Sequence, residues 1–323
     1  MNFPVFDLHC DTALSLLNRN FKVDKALKQN SLHIDLERAG KLPGYCQCFA
    51  CFTSPWEKMP DGITVHDIFE RELNGILLQI QENASVIRQA FTPEDIENNL
   101  REGIMSGVLT IEGPAGFGFD PALLEMLYNV GFRISTLGWN EQNVLIGSHK
   151  TGGGLTDLGR EYVRECQRLG ILVDVSHCSD EGFWDMIKIS DAPVIASHSN
   201  SRAVYNHSRN LTDDMFRAIC ETGGVAGLNL YAAFLGETAD LDTACDHILH
   251  WLELDPEGNH IALGGDLDGC DILPVGFEGV QSYPALANRL LTRGVGQTIV
   301  QNLYWNNAIG VMKRAVHNHK KHG

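Results

Sequence analysis

The chain has 323 residues, of which 44% are hydrophobic and 20% charged, the composition of a globular protein with a substantial core. Its 41 acidic and 25 basic residues give a formal charge of −16, which argues against nucleic acid or an anionic membrane as a partner, because either would need a basic face. No apolar run approaches the roughly 20 residues that span a bilayer, and the first residues do not read as a signal peptide.

Nine cysteines are scattered mostly through apolar segments. That distribution is typical of reduced thiols rather than of a disulfide framework, so we expect a cytoplasmic protein. Three of the cysteines are close together in GYCQCFACF. Cys46 and Cys48 would share one face of an extended strand and Cys51 would lie on the other, so we do not expect a zinc site there.

Taken in chain order, the first elements are two strands and a helix. The segment VFDLHCD (5–11) predicts a strand that ends on His9 and Asp11, whose side chains project to the same side. A second strand is predicted over 43–52. Apolar residues at helical spacing then predict a helix over 66–89.

The third predicted strand, like the first, ends on an acidic residue. Thr92 reads as the N-cap of a short helix, and GIMSGVLTIEG follows as a strand that ends on Glu112. An unpaired carboxylate at the end of an apolar strand would suffer a large desolvation penalty, so a core role is unfavourable. A helix over 121–130 and a fourth strand over 132–140 come next.

A glycine-rich segment over 146–156 predicts a mobile loop over one end of the fold. It lacks the Lys-Ser/Thr ending and the strand context of a phosphate-binding loop, so we reject that function. An N-capped amphipathic helix over 156–169 follows it.

Two successive strand-and-helix units then end their strands on a histidine. ILVDVSH stops at His177, a helix capped by Ser179 follows, and PVIASH stops at His198, 21 residues later. Two such units with right-handed crossovers place their strands side by side and pointing the same way. Both imidazoles then lie at the carboxyl edge of neighbouring strands, where the chemistry of α/β barrels is found.

The remaining elements complete eight strands. We predict a helix over 211–222, a seventh strand in GGVAGLNL, a helix over 238–254, and an eighth strand in HIALGGDLDG that ends on Asp266 and Asp268. Two helices over 283–292 and 296–311 close the chain. No linker-like segment divides it, so we predict a single (β/α)8 TIM-barrel domain over residues 1–323.

The strand ends carry three imidazoles and three carboxylates that would converge on one barrel mouth: His9, Asp11, Glu112, His177, His198 and Asp266. This mixture suits zinc, and it exceeds the four ligands of one tetrahedral ion, which predicts two Zn2+ ions. Glu112 comes from the middle of the series and is the predicted bridge, with His9 and Asp11 on one ion and His177 and His198 on the other. The ions would turn a shared water into a hydroxide nucleophile, and Asp266 would accept and return its proton.

Five separated motifs resemble the membrane (renal) dipeptidase family of zinc metallopeptidases, within the amidohydrolase-like barrels: DLHCDT, TIEGPAG, DVSHCS, ASHSNSRAV…SRN and LGGDLDG. They occur in the family's order, and the resemblance runs from Phe6 to about Met312. It implies a metal-dependent dipeptidase that cleaves small dipeptides, including those with a D-residue at the C-terminal position. It also implies that Arg209 binds the substrate carboxylate, for which a guanidinium is suited by its two parallel hydrogen bonds.

One position departs from the family pattern. After the fourth strand the animal enzymes carry a histidine that contacts the substrate near the scissile carbonyl, and here the aligned residue is Trp139. An indole cannot accept a proton, although its N–H can donate. The animal members' secretion signal and lipid anchor are also missing, which suggests a cytoplasmic microbial member.

Two functions other than dipeptide hydrolysis are also compatible with the sequence. The same metals would serve another amidohydrolase activity, such as deacylation of N-acyl amino acids or hydrolysis of lactones. A non-catalytic binding barrel would be expected to have an eroded ligand set, and here the set is complete. A homodimer is compatible with the sequence.

Overall fold

Nine parallel strands form the central sheet of the computed structural model, which describes residues 3–54 and 62–322. The strands are β1 (Val5–Cys10), β2 (Tyr45–Phe52), β3 (Ile87–Gln89), β4 (Met105–Glu112), β5 (Phe132–Thr136), β6 (Leu172–Asp174), β7 (Val194–Ile195), β8 (Ala226–Leu228) and β9 (Ile261–Leu263). Eight of them lie side by side in the order β7-β6-β5-β4-β2-β1-β9-β8. The short β3 pairs only with the first residues of β4.

The two ends of this row meet, so the sheet closes into a barrel. A parallel bridge joins Ala196, next to β7, to Ala226 of β8. The amide of Ala196 donates to the carbonyl of Val225 at 3.0 Å, and that of Gly227 donates to the carbonyl of Ala196 at 2.8 Å. The predicted (β/α)8 architecture is therefore confirmed, with β3 as an addition outside the ring.

Helices cover the barrel. The α-helices are Thr12–Ser15, Leu36–Ala39, Val65–Glu82, Pro93–Arg101, Leu124–Val130, Asp157–Leu169, Asp180–Ile189, Asp213–Glu221, Ala232–Leu235, Leu241–Leu254, Tyr283–Thr292, Gln297–Gln301 and Asn307–His322. Short 3-10 turns lie at Pro114–Phe117, Pro121–Leu123 and Val280–Ser282, and Asn302–Asn306 is a π-helical turn. Among the described residues we find no helix with the length and hydropathy needed to cross a bilayer.

Capping chemistry explains where several helices begin. The hydroxyl of Thr92 accepts a hydrogen bond from the amide of Asp95, whose carboxylate in turn accepts one from the amide of Thr92. Thr156 and Ser179 likewise accept from the backbone three residues on. These caps satisfy N–H groups that have no partner within the first turn, and all three starts agree with the sequence prediction.

One predicted helix is wrong over its last seven residues. The helix expected over 66–89 ends at Glu82, and Ile87–Gln89 is strand β3. Asn83 is the C-cap of this helix. Shortly after it, the carbonyl of Val86 accepts a hydrogen bond from the amide of Met105, the first residue of β4. Pairing with β4 therefore overrides the helical spacing of the apolar residues in this segment.

The strands that carry the site are shorter than predicted. The fourth predicted strand, 132–140, ends at Thr136. His177, His198 and Asp266 each lie three residues beyond the last residue of β6, β7 and β9, respectively. These side chains are thus presented by turns just above the barrel rather than by the strands themselves.

The core has two parts. One cluster contains alternating residues of the strands, among them Phe6, Leu8, Cys46 and Cys48, together with residues of the C-terminal helices. Trp305 packs against Phe6 with ring centroids 5.6 Å apart, so the C-terminal segment closes the end of the barrel that contains the strand N-termini. A larger cluster fills the space between strands and outer helices. Cys51 belongs to this second cluster, so it lies on the opposite face from Cys46 and Cys48, as the alternation predicted.

Candidate metal centre

The six side chains proposed from the strand ends come together at the carboxyl end of the barrel. They are His9, Asp11, Glu112, His177, His198 and Asp266, and all but the half-buried Asp11 are buried. Among the described residues, two sets have ligand atoms that all lie within 4.8 Å of one another. One set is His9, Glu112 and His198, and the other is His9, Asp11 and Asp266.

His9 lies among three carboxylates. Its Nε2 is 3.4 Å from Oε2 of Glu112, 3.7 Å from Oδ2 of Asp11 and 3.8 Å from Oδ1 of Asp266. None of these distances is a good hydrogen bond, and the buried Nε2 has no hydrogen-bond partner within residues 3–54 and 62–322. The spacing leaves room for a cation among these atoms.

Glu112 faces histidines with both of its oxygens. Oε2 is directed towards His9, whereas Oε1 lies 3.0 Å from Nε2 of His177 and 3.6 Å from Nε2 of His198. The two latter nitrogens are themselves 3.0 Å apart. One carboxylate thus connects two groups of potential ligands, which is the arrangement of a bridging residue.

The electrostatics of the site favour bound positive charge. Burial, reinforced by the charge of Asp11, raises the pKa of Glu112 to about 8, and burial raises the pKa of Asp266 to about 6. Carboxylates in such surroundings gain from a cation that offsets their desolvation. Burial opposes protonation of His9, yet the carboxylates of Glu112 and Asp11 raise its pKa well above the usual value. A proton or a metal ion is therefore strongly attracted to this point.

The other two histidines are neutral. Burial, followed by the positive charge of Arg209 and of nearby imidazoles, lowers the pKa of His177 well below its usual value. Burial, with the charges of His9 and Arg209, does the same to the pKa of His198. Neutral imidazole is the form that ligates metals. The buried Oδ1 of Asp11 also lacks a hydrogen-bond partner among the described residues, so the donor set fits one or more metal ions.

Two of the site residues adopt the left-handed backbone region. His177 has φ 70° and Asp266 has φ 56°, and Asp268, close to the site, has φ 67°. Residues other than glycine are uncommon in this region, and such conformations concentrate at functional sites. Here hydrogen bonds hold them: the carbonyl of His177 accepts from the amide of His149, and the amide of Asp266 donates to the carbonyl of His9.

Arg209 approaches the same site from the loop that follows His198. Its guanidinium is buried, with Nη1 donating to the hydroxyl of Ser199 at 3.4 Å and Nη2 donating to the carbonyl of His198 at 3.2 Å. Its Nε is buried and has no hydrogen-bond partner in the part of the chain that the structure describes. A buried cation whose N–H groups are only partly satisfied is suited to binding an anionic group of a ligand.

Trp139 lines the entrance to the site. A cavity of about 130 Å³ is bordered by Trp139, Phe52, Asp11 and Glu112, among other residues. The indole packs edge-on against Phe52 with centroids 5.1 Å apart, and lies 6.3 Å from the ring of His177. The position assigned to Trp139 from the motif comparison is thus at the mouth of the barrel.

Two asparagines contact the site residues and were not singled out from the sequence. Nδ2 of Asn229 donates to Oδ2 of Asp266 at 3.0 Å, and Oδ1 of Asn140 lies 3.2 Å from Nδ1 of His177. Asn229 directly follows β8, whereas Asn140 lies four residues beyond the last residue of β5. For Asn229, a polar residue directly after an apolar strand was the available signal.

Asp268 and His33 form a polar connection beside the site. Asp268 accepts hydrogen bonds from the hydroxyl of Thr12 at 2.7 Å and from the amide of His33 at 2.5 Å. Its own amide donates to Nδ1 of His33. This network ties the turn after β9 to the segment that follows β1, which are the two segments that carry Asp266 and Asp11.

A family model described as membrane dipeptidase (peptidase family M19) matches residues 1–322 of the chain. A protein of Schizosaccharomyces pombe described as an uncharacterised dipeptidase is 38% identical over 216 residues, which cover 65% of this chain and 53% of that protein. The chain therefore matches only about half of that relative's length.

Solved structures resemble the whole chain. A metallopeptidase of Rhodobacter sphaeroides, liganded with a phosphinate mimic of the dipeptide L-Ala-D-Ala, superposes with a TM-score of 0.86 at 28% identity and covers 98% of this chain and 100% of its own. A second structure, a metallopeptidase of family M19 named dipeptidase AC, gives a TM-score of 0.87 at 29% identity, with 98% and 99% covered.

Proposed function

The chain belongs to the membrane dipeptidase family, peptidase family M19, and from that membership we propose that it hydrolyses the peptide bond of small dipeptides at a centre of two zinc ions. The observation that carries the proposal is the position of Glu112. Its two oxygens face different histidines across a buried site, with 3.4 Å to His9 and 3.0 Å to His177.

The proposed ligand sets share this glutamate. His9, Asp11 and Glu112 would hold one ion, and Glu112, His177 and His198 the other. The unpartnered Nε2 of His9 and Oδ1 of Asp11 support the first set. Imidazole and carboxylate ligands together suit zinc. When bound, such ions supply a Lewis acid for the scissile carbonyl and acidify a water molecule.

Asp266 is the proposed proton carrier. Its Oδ1 faces the metal site at 3.8 Å from His9, while Asn229 holds its Oδ2 by a hydrogen bond of 3.0 Å. In this role Asp266 accepts a proton from the attacking water and delivers it to the leaving amine, so that the amine departs neutral. The side chain of Asn229 fixes the carboxylate orientation that both transfers need.

Arg209 is proposed to bind the C-terminal carboxylate of the substrate. The guanidinium is buried beside the site, and its Nε has no partner among the described residues. A carboxylate would satisfy this donor through a charge-assisted bond. With one end of the substrate held there and the acids near His9 available to its amine, the site is matched to a molecule of dipeptide length.

Trp139 is proposed to contact the substrate near the scissile bond, since it borders the cavity that opens onto Asp11 and Glu112. The indole N–H can donate a hydrogen bond, but the ring cannot accept a proton from the attacking water. Proton transfer is therefore assigned to Asp266 alone, and the tryptophan to binding and shape.

The proposed activity is tested by comparing substrates and by removing and restoring the metal. The zinc-loaded protein should hydrolyse L-Ala-D-Ala and L-Ala-L-Ala, lose this activity on treatment with a chelator, and regain it with zinc. N-acetyl-alanine lacks the free amine and should react far more slowly. Preferred hydrolysis of the N-acyl substrate would instead favour an amidohydrolase that deacylates N-acyl amino acids.

We also propose that the protein works in the cytoplasm. The nine cysteines, which all fall within the described residues, are free thiols, and most of them are buried. Burial raises the pKa of Cys46, Cys48 and Cys51 well above the usual value, which keeps these thiols protonated and unreactive. Fractionation of the native host with an antibody would test the location.

A further inference from the structure

Two buried aspartates below the metal site make the same pair of backbone hydrogen bonds. In each case one carboxylate oxygen accepts the N–H two residues further along its own chain segment. The same oxygen also accepts the N–H of a residue in the segment after the neighbouring strand, directly before a site residue. The two aspartates are Asp7 and Asp174, and both are buried.

Asp7 joins the segments that carry His9 and Asp266. Its Oδ1 accepts from the amide of His9 at 3.0 Å and from the amide of Gly265 at 2.9 Å. The hydroxyl of Tyr283 donates to its Oδ2. The carboxylate therefore fixes the separation of β1 and β9 at the height of the site.

Asp174 joins the segments that carry the other two histidines. Its Oδ1 accepts from the amide of Ser176, next to His177, at 3.0 Å and from the amide of Ser197, next to His198, at 2.8 Å. Its Oδ2 accepts from the hydroxyls of Thr136 at 2.6 Å and Ser197 at 2.5 Å. All four donors are directed at one carboxylate.

This second carboxylate is also connected to an imidazole. The hydroxyl of Ser197 lies 2.6 Å from Nδ1 of His198. A hydroxyl has one hydrogen, and Ser197 gives it to Asp174, so its oxygen can only accept from the ring. His198 therefore carries its proton on Nδ1 and presents a lone pair on Nε2 to Glu112 and His177.

We propose that Asp174, acting through Ser197, is a positioning residue that keeps the proton of His198 on Nδ1 and thereby leaves Nε2 free to bind metal. The inference rests on the proposed function, because it concerns a ligand of the proposed metal centre. Asp7 accepts the matching backbone hydrogen bonds, but its Oδ2 accepts from the hydroxyl of Tyr283 and not from a serine that contacts an imidazole.

The geometry around His177 agrees with this assignment. Its Nδ1 faces the carbonyl oxygen of the Asn140 side chain at 3.2 Å, so this ring also carries its proton on Nδ1. The Nε2 lone pairs of His177 and His198 then face each other at 3.0 Å. Two lone pairs at that distance repel unless a cation lies beside them, which explains why orientation of both rings matters for metal binding.

Asp174→Asn is the most informative variant, because asparagine has the same shape as aspartate. It reverses the direction of one hydrogen bond, the one between residue 174 and the hydroxyl of Ser197. The amide oxygen can still accept the two backbone N–H groups. The NH2 group, at the position of Oδ2, would donate to Ser197 and force its hydroxyl hydrogen towards Nδ1 of His198. The ring proton is then expected on Nε2, where it blocks the metal.

The tautomer is measured on the metal-free protein by two-bond ¹H–¹⁵N correlation spectra of histidine, with the signals of His198 assigned by their loss in His198→Gln. Wild type should show the Nδ1–H form, and Asp174→Asn the Nε2–H form. Zinc affinity, measured by competition with a chelator, should fall about 10- to 100-fold. Asp7→Asn, which removes the same charge and keeps the same backbone bonds, should leave His198 in the Nδ1–H form.

Ser197→Ala provides a second variant if Asp174→Asn does not fold. It removes only the hydroxyl, so both tautomers of His198 should become populated. Ser135→Ala, which removes a buried hydroxyl bonded to Tyr162 at 2.9 Å, is the control for loss of a buried hydrogen bond. The proposal is overturned if Asp174→Asn and Ser197→Ala both keep the Nδ1–H form and the zinc affinity of wild type. Failure of wild type to bind zinc would contradict the proposed function instead, and the tautomer measurement would still stand.

Discussion

Oε1 of Glu112 lies 3.0 Å from Nε2 of His177, although the two residues belong to different units of the barrel. Glu112 is the last residue of β4, and His177 lies in the turn that follows β6. The imidazole is neutral, because burial lowers its pKa, and the carboxylate is buried as well. A metal cation between them would offset the desolvation of the carboxylate and use the lone pair of the ring.

Replacing Glu112 by glutamine should therefore remove metal. A neutral amide keeps the size of the side chain but offers one oxygen instead of two. We expect elemental analysis to find at most one zinc per chain, against two for wild type. Glu72→Gln is the matched control. Glu72 is also buried, and it accepts a hydrogen bond from the amide of Phe52 at 2.7 Å, which glutamine can still accept. This variant should keep two zinc ions, and retention of both by Glu112→Gln would contradict the bridge.

Arg209→Ala should raise the KM for dipeptides roughly 10- to 100-fold, the size expected for loss of a charge-assisted hydrogen bond. The kcat should change less, because the contact is made in the ground state as well as in the transition state. A dipeptide amide, which lacks the carboxylate, should be hydrolysed equally poorly by wild type and variant. Arg202→Ala, which removes an arginine paired with Asp180 at 2.7 Å, should retain the wild-type KM. Equal KM values for wild type and Arg209→Ala would remove the assignment.

Trp139→Phe separates the packing of this side chain from its N–H group. The phenyl ring can keep the edge-on contact with Phe52, so the melting temperature should stay within about 2 °C of wild type. If the indole N–H donates to the substrate, kcat/KM should fall about 5- to 10-fold, the size of one neutral hydrogen bond. An unchanged kcat/KM would restrict Trp139 to a packing role.

His247 should make the free energy of unfolding depend on pH. Its Nδ1 accepts from the amide of Ser201 and its Nε2 faces the carbonyl of Leu235, both at 3.0 Å. Burial lowers its pKa, so the folded protein binds a proton at this ring less readily than the unfolded chain does. The stabilisation is thus complete above the unfolded pKa of about 6.5 and is lost as the pH falls below it, with a slope of up to about 1.4 kcal/mol per pH unit.

Urea denaturation of wild type and His247→Gln between pH 7.5 and 5 would measure this. The other buried histidines contribute to both proteins and cancel in the comparison. The variant should be less stable at pH 7.5 and should show the shallower pH dependence. Parallel curves would mean that the pKa of His247 is the same in the folded and unfolded states.

The ring of strands could be predicted from the sequence because apolar runs and capping signals are local. The clearest example of a local signal is Thr92, which forms a capping box with Asp95 and begins a helix where the sequence predicted one. Strand β3 could not be predicted in this way. Its residues, Ile87–Gln89, follow a helix without a strong break, and only pairing with β4 makes them extended.

The convergence of the site side chains at one end of the barrel could be predicted, but the contacts that orient them could not. His177 and Asp266 were expected at strand ends, whereas the structure places them on turns with φ 70° and 56°. The bonds from Asn229 and Asn140 that orient these side chains join segments far apart in the chain. A local pattern can mark a polar residue after an apolar run, as it does for Asn229, but it does not encode which distant side chain that residue contacts.

Anomalous diffraction at the zinc edge, from crystals of the protein grown with zinc, tests the central claim most directly. Two peaks should appear about 3.5–4 Å apart, each roughly 2.0–2.2 Å from a different oxygen of Glu112. The first should lie beside His9 and the second beside His177 and His198. A single peak, or two peaks of which only one contacts Glu112, would contradict the binuclear centre.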